Sequence, residues 1–172
     1  MSDAAALSYP IELDGAAVQR LLPHRGEMQL VRRITVLAHN HYRAVASWPA
    51  GSEVLAGHFP GMPLVPGVLL IEAVAQAAGA GMLAGDSYAI GMGGEFIGVL
   101  AGVRKCSFRR PVLPGEEVSM EIHCRQMTPT AAGVNGECKV NGEDTASIEI
   151  LVINTPRAEI GKHLEALRKA NA

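Results

Sequence analysis

One stretch of the chain is apolar on every face of a helix. Between positions 68 and 83 the only charged side chain is Glu72. Such a pattern is typical of a helix that is buried on all sides. Pro66 suits the first turn of this helix, because the N–H that proline lacks has no partner there. The pattern therefore predicts one long helix inside the hydrophobic core.

Alternating apolar and polar positions predict β-strands before and after this helix. Residues 11–23 have helical spacing after a possible cap at Asp14, which predicts a short helix that ends before Pro23. The segment from Arg157 to Ala170 has helical character and mixed charge, and we expect it to dock on the outside. The predicted strands are 27–37, 42–49, 95–109, 116–127, 132–141 and 145–153.

The order of these elements indicates an α+β fold in a single domain over residues 1–172. Two strands precede the long helix and four follow it, so a curved antiparallel sheet has to wrap around one buried helix. That arrangement is the hotdog fold. The segment from Gly57 to Gly67 is rich in proline and glycine, which predicts a shaped loop before the helix.

Composition narrows the class of protein. The net charge is -2 at pH 7, whereas a nucleic-acid-binding protein usually has a strongly basic face. The three cysteines show no CxxC spacing and the N-terminus has no signal-peptide pattern, so we expect a cytoplasmic protein. Residues 59–85 are long enough for a membrane span, but three prolines and a central carboxylate favour a core helix.

Two titratable residues lie near the start of the long helix. Glu72 has apolar neighbours, so we expect desolvation to raise its pKa and keep it protonated near neutral pH. His58 lies in the loop, and histidine titrates near neutral pH, which suits a general base. Taken alone, His58 fits a hydrogen-bonded loop residue and Glu72 fits the partner of an arginine. Together they indicate an acid/base pair.

The junction between loop and helix adds a third group. Free N–H groups at a helix N-terminus favour negative charge, and Gly67 has no side chain to block a ligand. A thioester carbonyl on the Gly67 amide would be polarised as its α-proton leaves, so these parts suffice for β-elimination. Gln76, one turn after Glu72, is expected to orient it.

The other reactive side chains are given no chemical role. The three cysteines fit small apolar core residues better than nucleophiles. The remaining histidines lack metal-ligand spacing, so no metal is predicted. These residues are Cys106, Cys124, Cys138, His24, His39, His41, His123 and His163.

Four segments carry distinctive motifs: LPHR at 22–25, GHFPGMPLVPGVL at 57–69, IEAVAQ at 71–76 and FRRPVLPG at 108–115. With them the chain resembles the FabZ-type (3R)-hydroxyacyl-[acyl-carrier-protein] dehydratases over most of its length. The resemblance implies a hotdog homodimer, or a trimer of such dimers, in which His58 of one protomer and Glu72 of the other share a site. His58 would take the α-proton and Glu72 would protonate the departing 3-hydroxyl, without a cofactor.

The resemblance also implies binding residues. Substrate would contact Phe59, Pro66, Gly67, Val68 and Gln76. An acidic acyl carrier protein would dock on basic residues near the tunnel mouth, and neither nucleic acid nor membrane is an expected partner. The candidate docking residues are Arg104, Lys105, Arg109 and Arg110.

The sequence departs from the family pattern in places. Arg32 stands where an aspartate is usual, Val99 and Arg104 lie where a tyrosine and an aspartate are often found, and the glycine-rich segment 86–99 is long. These changes predict an altered tunnel and a role in a specialised pathway, such as polyene or polyketide assembly. A dehydratase/isomerase, a hotdog thioesterase and a non-catalytic acyl-binding subunit remain alternatives on this fold.

Overall fold

A computed structural model describes residues 7–170, over which the chain forms seven strands and five α-helices. The strands are β1 (Ile11–Leu13), β2 (Val31–Ala38), β3 (His41–Ser47), β4 (Phe96–Phe108), β5 (Glu117–Thr128), β6 (Ala131–Val140) and β7 (Glu143–Pro156). The helices are α1 (Gly15–Leu21), α2 (Glu53–Ala56), α3 (Gly67–Gly85), α4 (Ser87–Gly91) and α5 (Arg157–Ala170).

The seven strands form one antiparallel sheet in the order β1-β2-β3-β5-β6-β7-β4. Helix α3 contacts strands β2 to β7, so the sheet wraps around it. Leu70, Val74 and Ala77 of α3 belong to the same buried cluster as Tyr42 and Ile122 of the sheet. This architecture confirms the predicted α+β hotdog fold.

One side of α3 is not covered by the sheet. Leu70, Ala73 and Val74 are buried, whereas Glu72 and Ala75 are only partly buried. The prediction of a helix buried on all sides is therefore wrong for the single chain. Helix α3 is long and apolar enough to cross a membrane by length and composition, but here it packs as the core helix of the sheet.

Both ends of the chain differ from expectation. Residues 11–13 form a strand that pairs with β2. The predicted cap at Asp14 is confirmed, because its side chain accepts a hydrogen bond from the Ala17 N–H at 2.8 Å and α1 begins at Gly15. The first predicted strand begins later, because residues 26–28 form a 3-10 turn. Helix α5 does not dock on the outside as predicted, since residues 162–169 are all exposed.

Two glycines of α3 give a matched test of how closely the helix approaches the sheet. A Cβ at Gly81 would lie 2.5 Å from Cδ2 of the buried Tyr42 ring, whereas one at Gly79 would lie 3.6 Å from Leu22 Cδ2. We expect Gly81→Ala to lower the free energy of unfolding by about 1–3 kcal/mol through overpacking. Gly79→Ala should raise it by about 0.5–1 kcal/mol through helix propensity. Denaturant unfolding measures both values, and equal stability of the two variants would contradict the packing.

Candidate active site

The loop that carries His58 is irregular, as predicted, and is held by its own hydrogen bonds. His58 Nδ1 lies 3.2 Å from the carbonyl oxygen of Leu64, whose N–H donates to the His58 carbonyl at 3.3 Å. Phe59 adopts a φ of 61° and its ring packs against the imidazole with ring centroids 4.3 Å apart. The backbone of the loop therefore fixes the position of His58.

Glu27 anchors the segment in front of this loop, a role that the sequence interpretation missed. Its carboxylate accepts hydrogen bonds from the Ser52 hydroxyl at 3.0 Å, the Glu53 N–H at 3.1 Å and the Val54 N–H at 3.2 Å. These bonds cap the N-terminus of α2 and hold the pKa of Glu27 below its usual range. A glutamate three residues after His24 gives no sequence signal for a helix that starts at Glu53.

The Glu72 carboxylate is held by two side chains. His24 Nε2 lies 3.2 Å from Glu72 Oε1, and Gln76 Nε2 donates to the same oxygen at 2.9 Å. The side chain of Glu72 is 27% exposed, so this carboxylate is accessible as well as anchored. The His24 contact was not predicted, although His24 lies within one of the motifs that carry the family resemblance.

The pKa of Glu72 is lowered and not raised, which corrects the sequence-based expectation. The hydrogen bond from His24 is the largest cause, and the Gln76 bond and the His24 charge act in the same direction. Burial raises the pKa, but these contacts outweigh it. The expectation considered only the apolar helix around Glu72 and not a donor from another segment.

Gln76 is buried and makes three hydrogen bonds. Its amide nitrogen donates to the Met28 carbonyl at 2.8 Å as well as to Glu72, and its amide oxygen accepts from the Leu30 N–H at 3.1 Å. The amide thus fixes Glu72 relative to the segment that leads into β2. Its orienting role stays a prediction that this contact supports.

The N-terminus of α3 lies next to an aromatic ring. Helix α3 begins at Gly67, and Pro66 provides no side-chain cap. A Cβ at Gly67 would lie 2.7 Å from Cζ of Phe108, so the Phe108 ring leaves room only for glycine at position 67. Val68 is 68% exposed and Phe59 is 51% exposed, which leaves both residues accessible to a ligand or another chain.

Glu72 and Gln76 line an apolar cavity of about 380 Å³. Residues of α1, α3, α4 and β4 form most of its wall, and His24 also lines it. His58, Phe59, Pro66, Gly67 and Val68 are not among the lining residues. Within one chain the structure therefore groups Glu72 with Gln76 and His24, and leaves the predicted base on a separate loop.

The glycine-rich segment 86–99 shapes one end of this cavity. Asp86 caps α4 by accepting a hydrogen bond from the Tyr88 N–H at 2.8 Å. Ala89, Met92 and Phe96 then line the cavity, and Val99 lines it from β4. The segment thus contributes directly to the cavity wall, and its effect on an acyl tunnel stays a prediction.

The four basic residues proposed for carrier docking differ in their surroundings. Arg110 Nη2 lies 2.8 Å from Glu116 Oε1, and Arg104 Nη1 lies 3.9 Å from Glu149 Oε1. Arg104, Lys105 and Arg109 are exposed. Arg110 thus stabilises its own loop. Carrier docking on the three exposed residues, Arg104, Lys105 and Arg109, stays a prediction.

The burial of the cysteines agrees with the prediction that they are core residues and not nucleophiles. Cys124 and Cys138 are buried, and burial raises the pKa of each thiol to about 12. The pKa of Cys106 is also raised by burial. Thiols with raised pKa values are poor nucleophiles at neutral pH.

Comparisons with known proteins show which family this fold belongs to. The FabA-like domain family matches residues 22–149. The 3-hydroxyacyl-[acyl-carrier-protein] dehydratase FabZ of Koribacter versatilis is 36% identical over 81% of this chain and 90% of its own length. The FabZ of Aliivibrio fischeri is 37% identical over 77% of this chain and 87% of its own length.

Solved structures show the same fold at low sequence identity. A chain of the dehydratase heterocomplex ApeI:P from Xenorhabdus doucetiae superposes with a TM-score of 0.66 at 19% identity, covering 92% of this chain and 99% of its own. A sigma28-regulated virulence protein from Campylobacter jejuni gives 0.57 at 17% identity, covering 80% and 95%. On its sequence match and its architecture, the chain belongs to the FabA-like family of hotdog proteins and, within it, to the FabZ-type 3-hydroxyacyl-[acyl-carrier-protein] dehydratases.

Proposed function

We propose that this protein removes water from a 3-hydroxyacyl group on an acyl carrier protein and forms the trans-2-enoyl thioester. The observation that carries the proposal is the Glu72 carboxylate, which His24 and Gln76 hold at the wall of an apolar cavity. An acyl chain fits the apolar wall. Because its lowered pKa favours the carboxylate at neutral pH, Glu72 has to take up a proton before it can donate one at the polar end of the cavity. The FabZ relatives carry this activity in their names.

The active unit is a homodimer in which His58 of one protomer faces Glu72 of the other. Two features of the single chain support this arrangement. His58 is absent from the cavity that contains Glu72. Strand β4 lies at the edge of the sheet and exposes Leu100, Val103 and Phe108, each between 43% and 49%. A long apolar edge strand favours pairing with a second copy.

The reaction needs one base and one acid. His58 takes the α-proton, the electrons of that C–H bond form the new double bond, and the 3-hydroxyl leaves as water with a proton from Glu72. The Gly67 amide, at the N-terminus of α3, holds the thioester carbonyl while negative charge develops on its oxygen. Phe59, Pro66 and Val68 are the residues proposed to contact the thioester arm. The elimination requires no cofactor.

His24 sets the pH range in which Glu72 can act. Because the His24 hydrogen bond is the largest cause of the lowered Glu72 pKa, His24→Ala should raise that pKa. An acid works in its protonated form, so a higher pKa enlarges the protonated fraction of Glu72, and kcat/KM of His24→Ala relative to wild type should increase with pH. The pH profiles of both enzymes measure this ratio, with His163→Ala on the exposed helix α5 as control. A ratio that does not change with pH would show that His24 does not set the pKa of Glu72.

Intact-mass analysis of a 3-hydroxyacyl carrier protein after incubation with the wild-type chain tests the proposed reaction. Loss of one water over several acyl lengths is the expected result, and the length that reacts fastest reports on the tunnel. Loss of the whole acyl group would indicate a thioesterase. An unchanged mass would indicate a non-catalytic acyl-binding subunit, and a product whose double bond has moved would indicate an isomerising dehydratase.

The three cysteines of the described chain are free thiols, which supports a reducing, cytoplasmic location.

The docking of the carrier on Arg104, Lys105 and Arg109 is part of the same proposal. A specialised pathway also remains a proposal, and it rests on the sequence departures at Arg32, Val99 and Arg104.

A further inference from the structure

Three metal-ligand side chains meet on the outer face of the sheet, away from α3. His41 is the first residue of β3 and pairs in register with His123 of β5, and Glu121 lies two positions before His123 on the same face. One ligand atom from each of the three lies within 4.8 Å of the others. The neighbours Tyr42 and Ile122 are buried and point into the core, so the cluster is on the opposite face from the candidate active site.

We propose that His41, Glu121 and His123 bind a divalent transition metal ion of the Zn²⁺, Ni²⁺ or Cu²⁺ class. Two imidazoles and one carboxylate are a ligand set that these ions share, and waters would complete the coordination. The site goes beyond the dehydration reaction and needs no substrate.

The sheet arranges the ligands before any ion arrives. The His41 and His123 rings are stacked, with centroids 4.2 Å apart and planes inclined by 20°. Paired strands hold opposite Cβ atoms about 5 Å apart, so little side-chain freedom is lost on binding. The side chains of His41 and Glu121 are 29% and 37% exposed, which keeps the site accessible to an ion from solvent.

The contacts within the cluster suit exchange of a proton for a metal ion. His41 Nε2 contacts Glu121 Oε1 directly, so an ion would take the place of the proton between these two atoms. Arg43 Nε donates to the other carboxylate oxygen at 3.0 Å and would keep Glu121 oriented without binding the ion itself. Glu137, the register partner of Glu121 on β6, adds negative charge that offsets the charge of Arg43.

Calorimetric titration of the untagged, chelator-treated chain with Zn²⁺ and Ni²⁺ tests this site. We expect one ion per chain, and a melting temperature that rises with Zn²⁺ and returns to its starting value with chelator. His41→Ala and His123→Ala should each weaken binding at least about tenfold, because each removes a ligand. Arg43→Gln should change binding by less than either substitution, because the loss of the orienting contact and the loss of a nearby positive charge act in opposite directions.

His39→Ala is the matched control, because His39 is exposed in the turn two residues before His41 and provides only its carbonyl to Tyr42. It should bind the ion as wild type does. Binding that survives in both His41→Ala and His123→Ala would overturn the proposal and indicate another site, such as a thiol. The absence of binding at millimolar Zn²⁺ would overturn it as well. Since all variants retain His58 and Glu72, the dehydration assay stands or fails independently of this result.

Discussion

Glu72→Gln is expected to reduce the rate of dehydration by about 10²–10⁴-fold while the fold is retained. Glutamine has nearly the same shape and can still accept the hydrogen bonds from His24 and Gln76 through its amide oxygen. It cannot supply a proton to the departing hydroxyl. The change therefore removes the acid and leaves its position intact, and the rate of enoyl formation measures the loss.

The matched control for this variant is Glu165→Gln on α5, where the same chemical change is made at an exposed residue that does not line the cavity. Glu165→Gln should react at the wild-type rate. Thermal unfolding of both variants checks that the fold is unchanged. If Glu72→Gln retained more than about a tenth of the wild-type rate, Glu72 would not be the general acid.

The fold was predictable because its strongest patterns are local. The apolar run after Pro66 predicts α3, and the alternation in each later segment predicts β4 to β7 to within a few residues. Local patterns failed at short elements whose structure depends on distant partners. Residues 11–13 become a strand only because β2 is available for pairing, and α2 is capped by Glu27, a residue 26 positions away from Glu53.

The residues proposed for the site come from motif and spacing, whereas the electrostatics of Glu72 do not. His58, Gly67, Glu72 and Gln76 can all be selected from motif and spacing. The direction of the Glu72 pKa depends on His24, a residue 48 positions earlier that reaches the carboxylate only in the folded chain. For the same reason, sequence spacing does not reveal the cluster of His41, Glu121 and His123. His41 and Glu121 are 80 positions apart and meet only through the pairing of β3 with β5.

Mixing His58→Ala with Glu72→Gln should restore activity that neither variant has alone. If each site takes His58 from one protomer and Glu72 from the other, a mixed dimer has one complete site and one site that lacks both groups. Random exchange at equal concentrations makes half of the dimers mixed, so activity should approach about a quarter of wild type. Enoyl formation measured before and after subunit exchange gives this fraction, and native mass spectrometry confirms that mixed dimers have formed. A preparation that contains mixed dimers and stays inactive would show that His58 and Glu72 do not act across the interface, because complementation requires each site to draw on both chains.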